Sequence, residues 1–323
     1  MSHLPARRVL LAGSLALLTA ATACGGSGTA PAPDAASAPA AEAPRGSSGG
    51  GSPHPTAVAP EAPAPDAPAA PAARPKPAPG VSARWVVYDR KTGRTLSKSG
   101  ANRTVRSASV VKLLIALDYL GSRKGKVAPA HAARFAKMLR SSDDSAATFF
   151  WNLGGKGAIV TRMKKKISLA DTAPPPAGQP GYWGYTAISA RDIAATYRFL
   201  LDRASPKVRD TIMGHLGKAT KCGTDGFDQS WGIPAATKRR HAVKQGWSGF
   251  GLTPPYPCAN NSRYVPAAGP DLGLGRPVLH TTGTIGAQAR YIVVVLTLNP
   301  AGASYRVSGQ RLTKLTRELV KGL

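Results

Sequence analysis

Residues 25–80 contain no aromatic residue and no leucine, isoleucine or methionine, and consist almost entirely of Ala, Pro, Gly and Ser. Such a stretch cannot bury enough apolar surface to offset a backbone entropy of about 1–2 kcal/mol per residue, which excludes a packed core there. It reads as a disordered or polyproline-like tether. Residues 81–323 remain for one folded domain. Cysteine is scarce too, with only Cys24, Cys222 and Cys258. None has a metal-type partner at short spacing, which argues against a zinc site. No glycine-rich phosphate loop is present.

Long hydrophobic runs are also missing. The most apolar segment, residues 9–23, is shorter than the roughly 20 residues a membrane-spanning helix needs. It follows Arg7-Arg8 and reads as the apolar part of an export signal occupying residues 1–24, whose paired arginines resemble a twin-arginine start. The segment ends Ala21-Thr22-Ala23-Cys24-Gly25-Gly26, which resembles a bacterial lipobox. That resemblance implies a lipid on Cys24 and anchoring on the outer side of a bacterial membrane. Cleavage after Ala23 and plain secretion is the other reading. With Cys24 lipidated, Cys222 and Cys258 form an even pair for a disulfide in an oxidising compartment.

Acidic residues are few: 16, against 43 Lys and Arg. Five of the basic and four of the acidic residues precede residue 81, so the folded part carries a net charge of +26. A field of that size attracts polyanions. For an exported chain these are anionic cell-wall polymers or lipid head groups rather than nucleic acid. Simple solubility accounts for scattered charges equally well.

Arg84-Trp85-Val86-Val87-Tyr88 predicts a strand, residues 89–93 a turn, and residues 94–96 a returning strand. Helices are predicted over 109–120, 129–139, 145–152, 156–167, 189–201 and 207–216, with a Pro- and Gly-rich loop over 172–184. Strands follow at 241–247, 276–284 and 289–298, the last apolar enough to be buried on both faces. A closing helix spans 305–323. This order implies an α+β fold: an antiparallel sheet of about five strands from both chain ends, flanked by helices, with a helical insert.

Three short motifs stand in that frame. Ser109-Val110-Val111-Lys112 opens a buried helix, with Ser and Lys on one face. A serine hydroxyl needs a nearby base, and desolvation of a buried lysine is expected to make Lys112 one. Ser142-Asp143-Asp144 precedes a helix and Lys244-Gln245-Gly246 lies on a strand. Each alone has a plain structural reading, as a chance pair, a helix cap or a strand end. Together and in order they resemble the serine β-lactamase and penicillin-binding superfamily, closest to class A β-lactamase-like hydrolases, with signatures S-x-x-K, S-D-N and K-T-G. The resemblance spans nearly all of residues 84–320.

It implies a β-lactamase/transpeptidase-like fold and an acyl-enzyme mechanism on a β-lactam or peptidoglycan-related amide, without a cofactor or metal. It implies that Ser109 is acylated, Lys112 is its base and Ser142 passes the proton on. Lys244 would hold the substrate carboxylate. The N–H groups of Ser109 and Trp247 would form the oxyanion hole, with Asp144, Gln245 and Gly246 lining the substrate. Asp144 replaces the family's Asn and offers only acceptors. Gln245 replaces a hydroxyl residue, and its amide is expected to substitute. Residues 81–317 contain no glutamate, so the family's water-activating Glu is missing, and Asp171 is a weak stand-in. Slow deacylation is expected. A monomer is the expected state. The alternative is a catalytically inactive envelope lipoprotein that keeps the fold and binds anionic wall polymers.

Overall fold

The computed structural model describes residues 75–251, Pro254, Cys258 and 276–323. The expected signal segment, Cys24 and nearly all of the expected linker lie outside the described residues. Strands β1 (Ser82–Asp89), β2 (Arg94–Ser99), β5 (His241–Ser248), β6 (Val278–Ile285) and β7 (Tyr291–Leu298) form one antiparallel sheet in the order β2-β1-β7-β6-β5. The β1–β7 ladder, Ser82 opposite Leu298 through Asp89 opposite Tyr291, joins the two ends of the domain. β5 is the sheet's edge strand on the side of the candidate site.

Side chains alternate across a strand, and both faces of this sheet are covered. Val86, Ile292, Val294 and Leu296 pack with the helical insert. Trp85, Val87, Val293 and Val295 pack with Leu312 and Leu315 of α8 (Tyr305–Val320) on the other face. Two-sided burial explains why β7 is apolar throughout.

The insert comprises α1 (Lys112–Gly121), α2 (Ala132–Arg140), α3 (Asp144–Leu153), α4 (Gly157–Ile167), α5 (Ala190–Arg198) and α6 (Pro206–Leu216). Residues 112–120 of α1 are all buried, so it is the helix around which the others pack. Short polar caps start its neighbours. Asp143 accepts from the Ala146 N–H at 2.6 Å, and Ser189 from the Asp192 N–H at 3.1 Å.

Three features differ from the sequence expectation. The helix expected over 189–201 changes at Phe199 into a π-helical turn, Phe199–Arg203. A four-residue helix, α7 (Ile233–Ala236), precedes β5. A two-stranded ladder pairs β3 (Val105–Arg106) with β4 (Ala187–Ile188). The ladder holds the segment just before Ser109 against the strand that leads into α5.

Candidate active site

The first motif sits where a 3₁₀ turn, Ala108–Val111, runs into α1. Ala108 has φ +43°, a conformation that non-glycine residues seldom adopt. It turns the chain so that Ser109 lies in the first turn, where N–H groups lack a helical partner. The second motif fills the α2–α3 junction, and Ser142 also has a positive φ, +56°. Two strained residues flanking one cleft are the kind of outlier that functional sites hold.

The Lys112 amine is fully buried and meets three close acceptors. These are Ser142 O at 2.5 Å, Asp144 Oδ1 at 2.6 Å and Ser109 Oγ at 2.8 Å. Ser142 Oγ lies further off, at 3.3 Å. Three short acceptors match the three donors of an ammonium group. The indole of Trp183 lies 4.6 Å below the same amine. The half-exposed Asp144 carboxylate is the ion-pair partner of this buried amine, a contact that the sequence expectation did not include.

Lys244 approaches Ser142 from β5, with Nζ 2.8 Å from Ser142 Oγ and 3.1 Å from Gln245 O. Burial pushes its amine well below the ordinary lysine value, and the nearby Lys112 pushes it the same way. Lys244 is 1% exposed. The resemblance made it the group that holds a substrate carboxylate and tunes Ser142; its amine lies on Ser142 Oγ and is buried in this structure.

Gly246 lets β5 lie against the nucleophile's turn. A Cβ there would stand 3.0 Å from Ser107 O and 3.2 Å from Ser109 N. Trp247 follows, its indole N–H donating to Asp225 Oδ2 at 2.9 Å. Gln245 departs from the expectation. Alternation along β5 turns its side chain away from Lys244, and its Nε2 donates to Gln229 O at 3.1 Å and Trp231 O at 2.5 Å. It is 3% exposed and braces a loop instead of facing a substrate.

That loop, residues 218–231, ties the site's two halves together. Thr224 N–H donates to Ser141 O at 2.9 Å, and Gln229 Nε2 donates to Arg140 O at 2.7 Å. The Cys222–Cys258 disulfide is formed and closes against it. The loop carries Asp225, which sequence reasoning missed. Burial raises its carboxyl's pKa, and proximity to Asp144 adds to the rise. Its only sequence signal was a place close after Cys222.

Asp171 is committed elsewhere. Oδ1 pairs with Arg191 at 2.6 Å. The N–H groups of residues 170–172 all donate to Asp192, which fixes that turn. His280 is a buried brace, with Nδ1 accepting from Thr297 N–H at 3.2 Å and Nε2 2.9 Å from Arg106 O. His241 Nδ1 lies 2.9 Å from Arg239 O.

Comparison with known proteins puts this geometry beside a known architecture. No family model matches the sequence. The chain is 35% identical over 231 residues to a Mycobacterium tuberculosis protein named "Putative lipoprotein LppW" and to its Mycobacterium bovis namesake. The match covers 69% of this chain and 65% of theirs, a little under two thirds of their length. Among solved structures, PBP-A aligns with a TM-score of 0.54 and 14% identity over 75% of this chain and 89% of its own. A class A β-lactamase from Mycobacterium abscessus gives 0.54 and 15% over 75% and 93%. The β-lactamase from Streptomyces albus G gives 0.51 and 19% over 76% and 94%. The chain has the β-lactamase/transpeptidase-like fold.

Proposed function

We propose that the chain is an exported serine hydrolase of the β-lactamase and penicillin-binding type. It forms an acyl-enzyme at Ser109 with a β-lactam or a cell-wall-related amide and releases it slowly. The observation that carries this reading is the bonded line from Ser109 Oγ through Lys112 Nζ and Ser142 Oγ to Lys244 Nζ.

The line has one end that gives up a proton and one that takes it. Lys112, held by Asp144, supplies N–H donors, while burial favours an uncharged amine at Lys244. As Ser109 Oγ attacks the carbonyl carbon, Lys112 hands a proton to Ser142 Oγ and takes up the one that Ser109 releases in the same motion, while Ser142 hands its own to Lys244. The developing oxyanion meets the free N–H at the start of the nucleophile's turn. When the carbon–nitrogen bond breaks, Ser142 returns the proton to the leaving nitrogen. Water must then cleave the ester. The folded part offers no glutamate near the site, its one Glu being Glu318 on α8, and Asp171 is bound to Arg191. Deacylation is therefore the slow step.

Intact-mass measurement after incubation with penicillins and activated esters tests this. An adduct lost in Ser109→Ala supports the reading. No adduct from any probe, with the protein folded, replaces it with the second reading, an inactive lipoprotein. That reading draws on the Lys112–Asp144 ion pair, which ties up the proton acceptor beside the nucleophile.

Location belongs to the same proposal. The lipobox-like end at Cys24 and the relatives' name support a lipoprotein on the outer face of a cell membrane. Loss of membrane association in Cys24→Ala is the expected result.

A further inference from the structure

A cavity of about 690 Å³ opens at the end of β5 away from Gly246, between α6 and the β6–β7 turn. Its size lies within the range of small-ligand clefts. Its walls are basic: Arg90 enters from the β1–β2 turn, Arg209 from α6, and Lys218 and Arg240 from the segments that flank the loop before β5. Only one carboxylate, Asp210, lines it, and Asp210 is already bound to Arg209 at 2.8 Å. Arg90 is held by Asp202 at 2.6 Å. Lys218 and Arg240 form no ion pair among the described residues, so the cleft keeps uncompensated positive charge.

Two of its carbonyl groups are kept from opposing an anion. Gln288 and Ala289, on the β6–β7 turn, have φ +52° and +54°. Their carbonyls accept from Arg90 Nη1 at 2.8 and 3.0 Å. The strained turn thus points its acceptors onto a cation already in the wall and fixes the cleft's shape without a ligand. A concave, low-dielectric wall of one sign concentrates field lines and retains counter-ions better than the same charges on an open surface. A second cavity of about 220 Å³ shares Gly217 and His241 with it and adds Lys221, lengthening the basic track.

We propose that this cleft binds a ligand bearing two or more phosphate groups, as a phosphodiester chain or an oligophosphate does. The cations come from separate segments of the chain around the cleft, which suits an extended anion better than a single small one. Arginine's planar fork suits phosphate oxygens. The site is separate from Ser109, and the proposal stands whether or not Ser109 is acylated.

The test is calorimetric titration of the full chain with tripolyphosphate at low and high salt. A parallel arm uses vesicles of phosphatidylglycerol, with phosphatidylcholine vesicles as the neutral control. A Lys218→Ala/Arg240→Ala double variant is expected to bind tripolyphosphate about tenfold more weakly. A charge-matched Lys164→Ala/Lys165→Ala variant, on exposed positions of α4 outside the cleft, is expected to stay within about twofold. Asp210→Asn removes the one carboxylate and is expected to tighten binding. Cleft-dependent binding to phosphatidylglycerol vesicles identifies a head-group site; cleft-dependent binding to tripolyphosphate alone identifies a soluble or polymer phosphate. Equal losses in both double variants, or none in the cleft variant, overturn the proposal, because net charge then accounts for all binding.

Discussion

The Lys112 amine is bound to the Asp144 carboxylate at 2.6 Å, and the same amine touches Ser109 Oγ at 2.8 Å. A carboxylate thus directly holds the group that relays the nucleophile's proton. An amide in its place would keep an acceptor for the ammonium without the negative charge.

Asp144→Asn is therefore expected to raise the Ser109 acylation rate by about tenfold, because a neutral bond in place of a charge-assisted one frees the amine by about 1.4 kcal/mol. Stability should change by no more than about 1 kcal/mol, because the Asn oxygen still accepts from Lys112. The adduct's growth by mass spectrometry reads the rate. A slower rate would make Asp144 a positioning group instead of a brake.

Gln245 invites a substitution toward the family's hydroxyl, and the structure argues that it fails. Threonine in its place cannot reach Gln229 O and Trp231 O, which lose a buried donor. Gln245→Thr is expected to lower stability by about 2 kcal/mol and not to speed acylation by a penicillin. Urea unfolding and adduct kinetics on one preparation check both. Faster acylation with unchanged stability would put residue 245 back in the cleft.

Much of this was legible before the fold was seen. Residue type and order marked Ser109, Lys112, Ser142 and Lys244, and periodicity marked the strands and helices that carry them. What stayed hidden depended on contacts between distant segments. The β3–β4 ladder pairs two residues with two others some 80 positions on, too short to show any period. The direction of the Gln245 side chain follows from where β5 lies at the sheet's edge, which its sequence cannot state. The Lys112–Asp144 contact joins residues of two different helices, and the sequence shows Asp144 only as a substrate contact.

Gly246 is the point where β5 presses on the nucleophile's turn. A methyl group there meets Ser107 O and Val110 Cγ2 at 3.0 Å, and one of these is backbone. Gly246→Ala is expected to cost about 1–3 kcal/mol by overpacking. A shift of the turn by a fraction of an ångström to an ångström should lower acylation by up to about a hundredfold. Thermal unfolding and adduct kinetics separate the two effects. Unchanged kinetics would mean that the strand and turn can move apart freely.

His280 sets an acid limit on the same turn. Its ring is fully buried, and burial lowers its pKa from 6.5 to about 4. Nδ1 accepts the Thr297 N–H, so Nε2 carries the proton and donates to Arg106 O, three residues before Ser109. Protonation would place a hydrogen on Nδ1 facing another donor. Because the folded value lies below the unfolded one, the unfolded chain binds the proton more readily between about pH 6.5 and 4. Stability from this group is complete above about pH 6.5 and falls as pH drops towards 4, by an order of about 3 kcal/mol in all. In His280→Gln that part of the slope should vanish, leaving a flatter dependence at lower overall stability. The difference between the two proteins, measured by urea unfolding across that window, is the readout. Parallel slopes would show that His280 takes up its proton while folded at little cost, and that the Arg106 contact does not depend on a neutral ring.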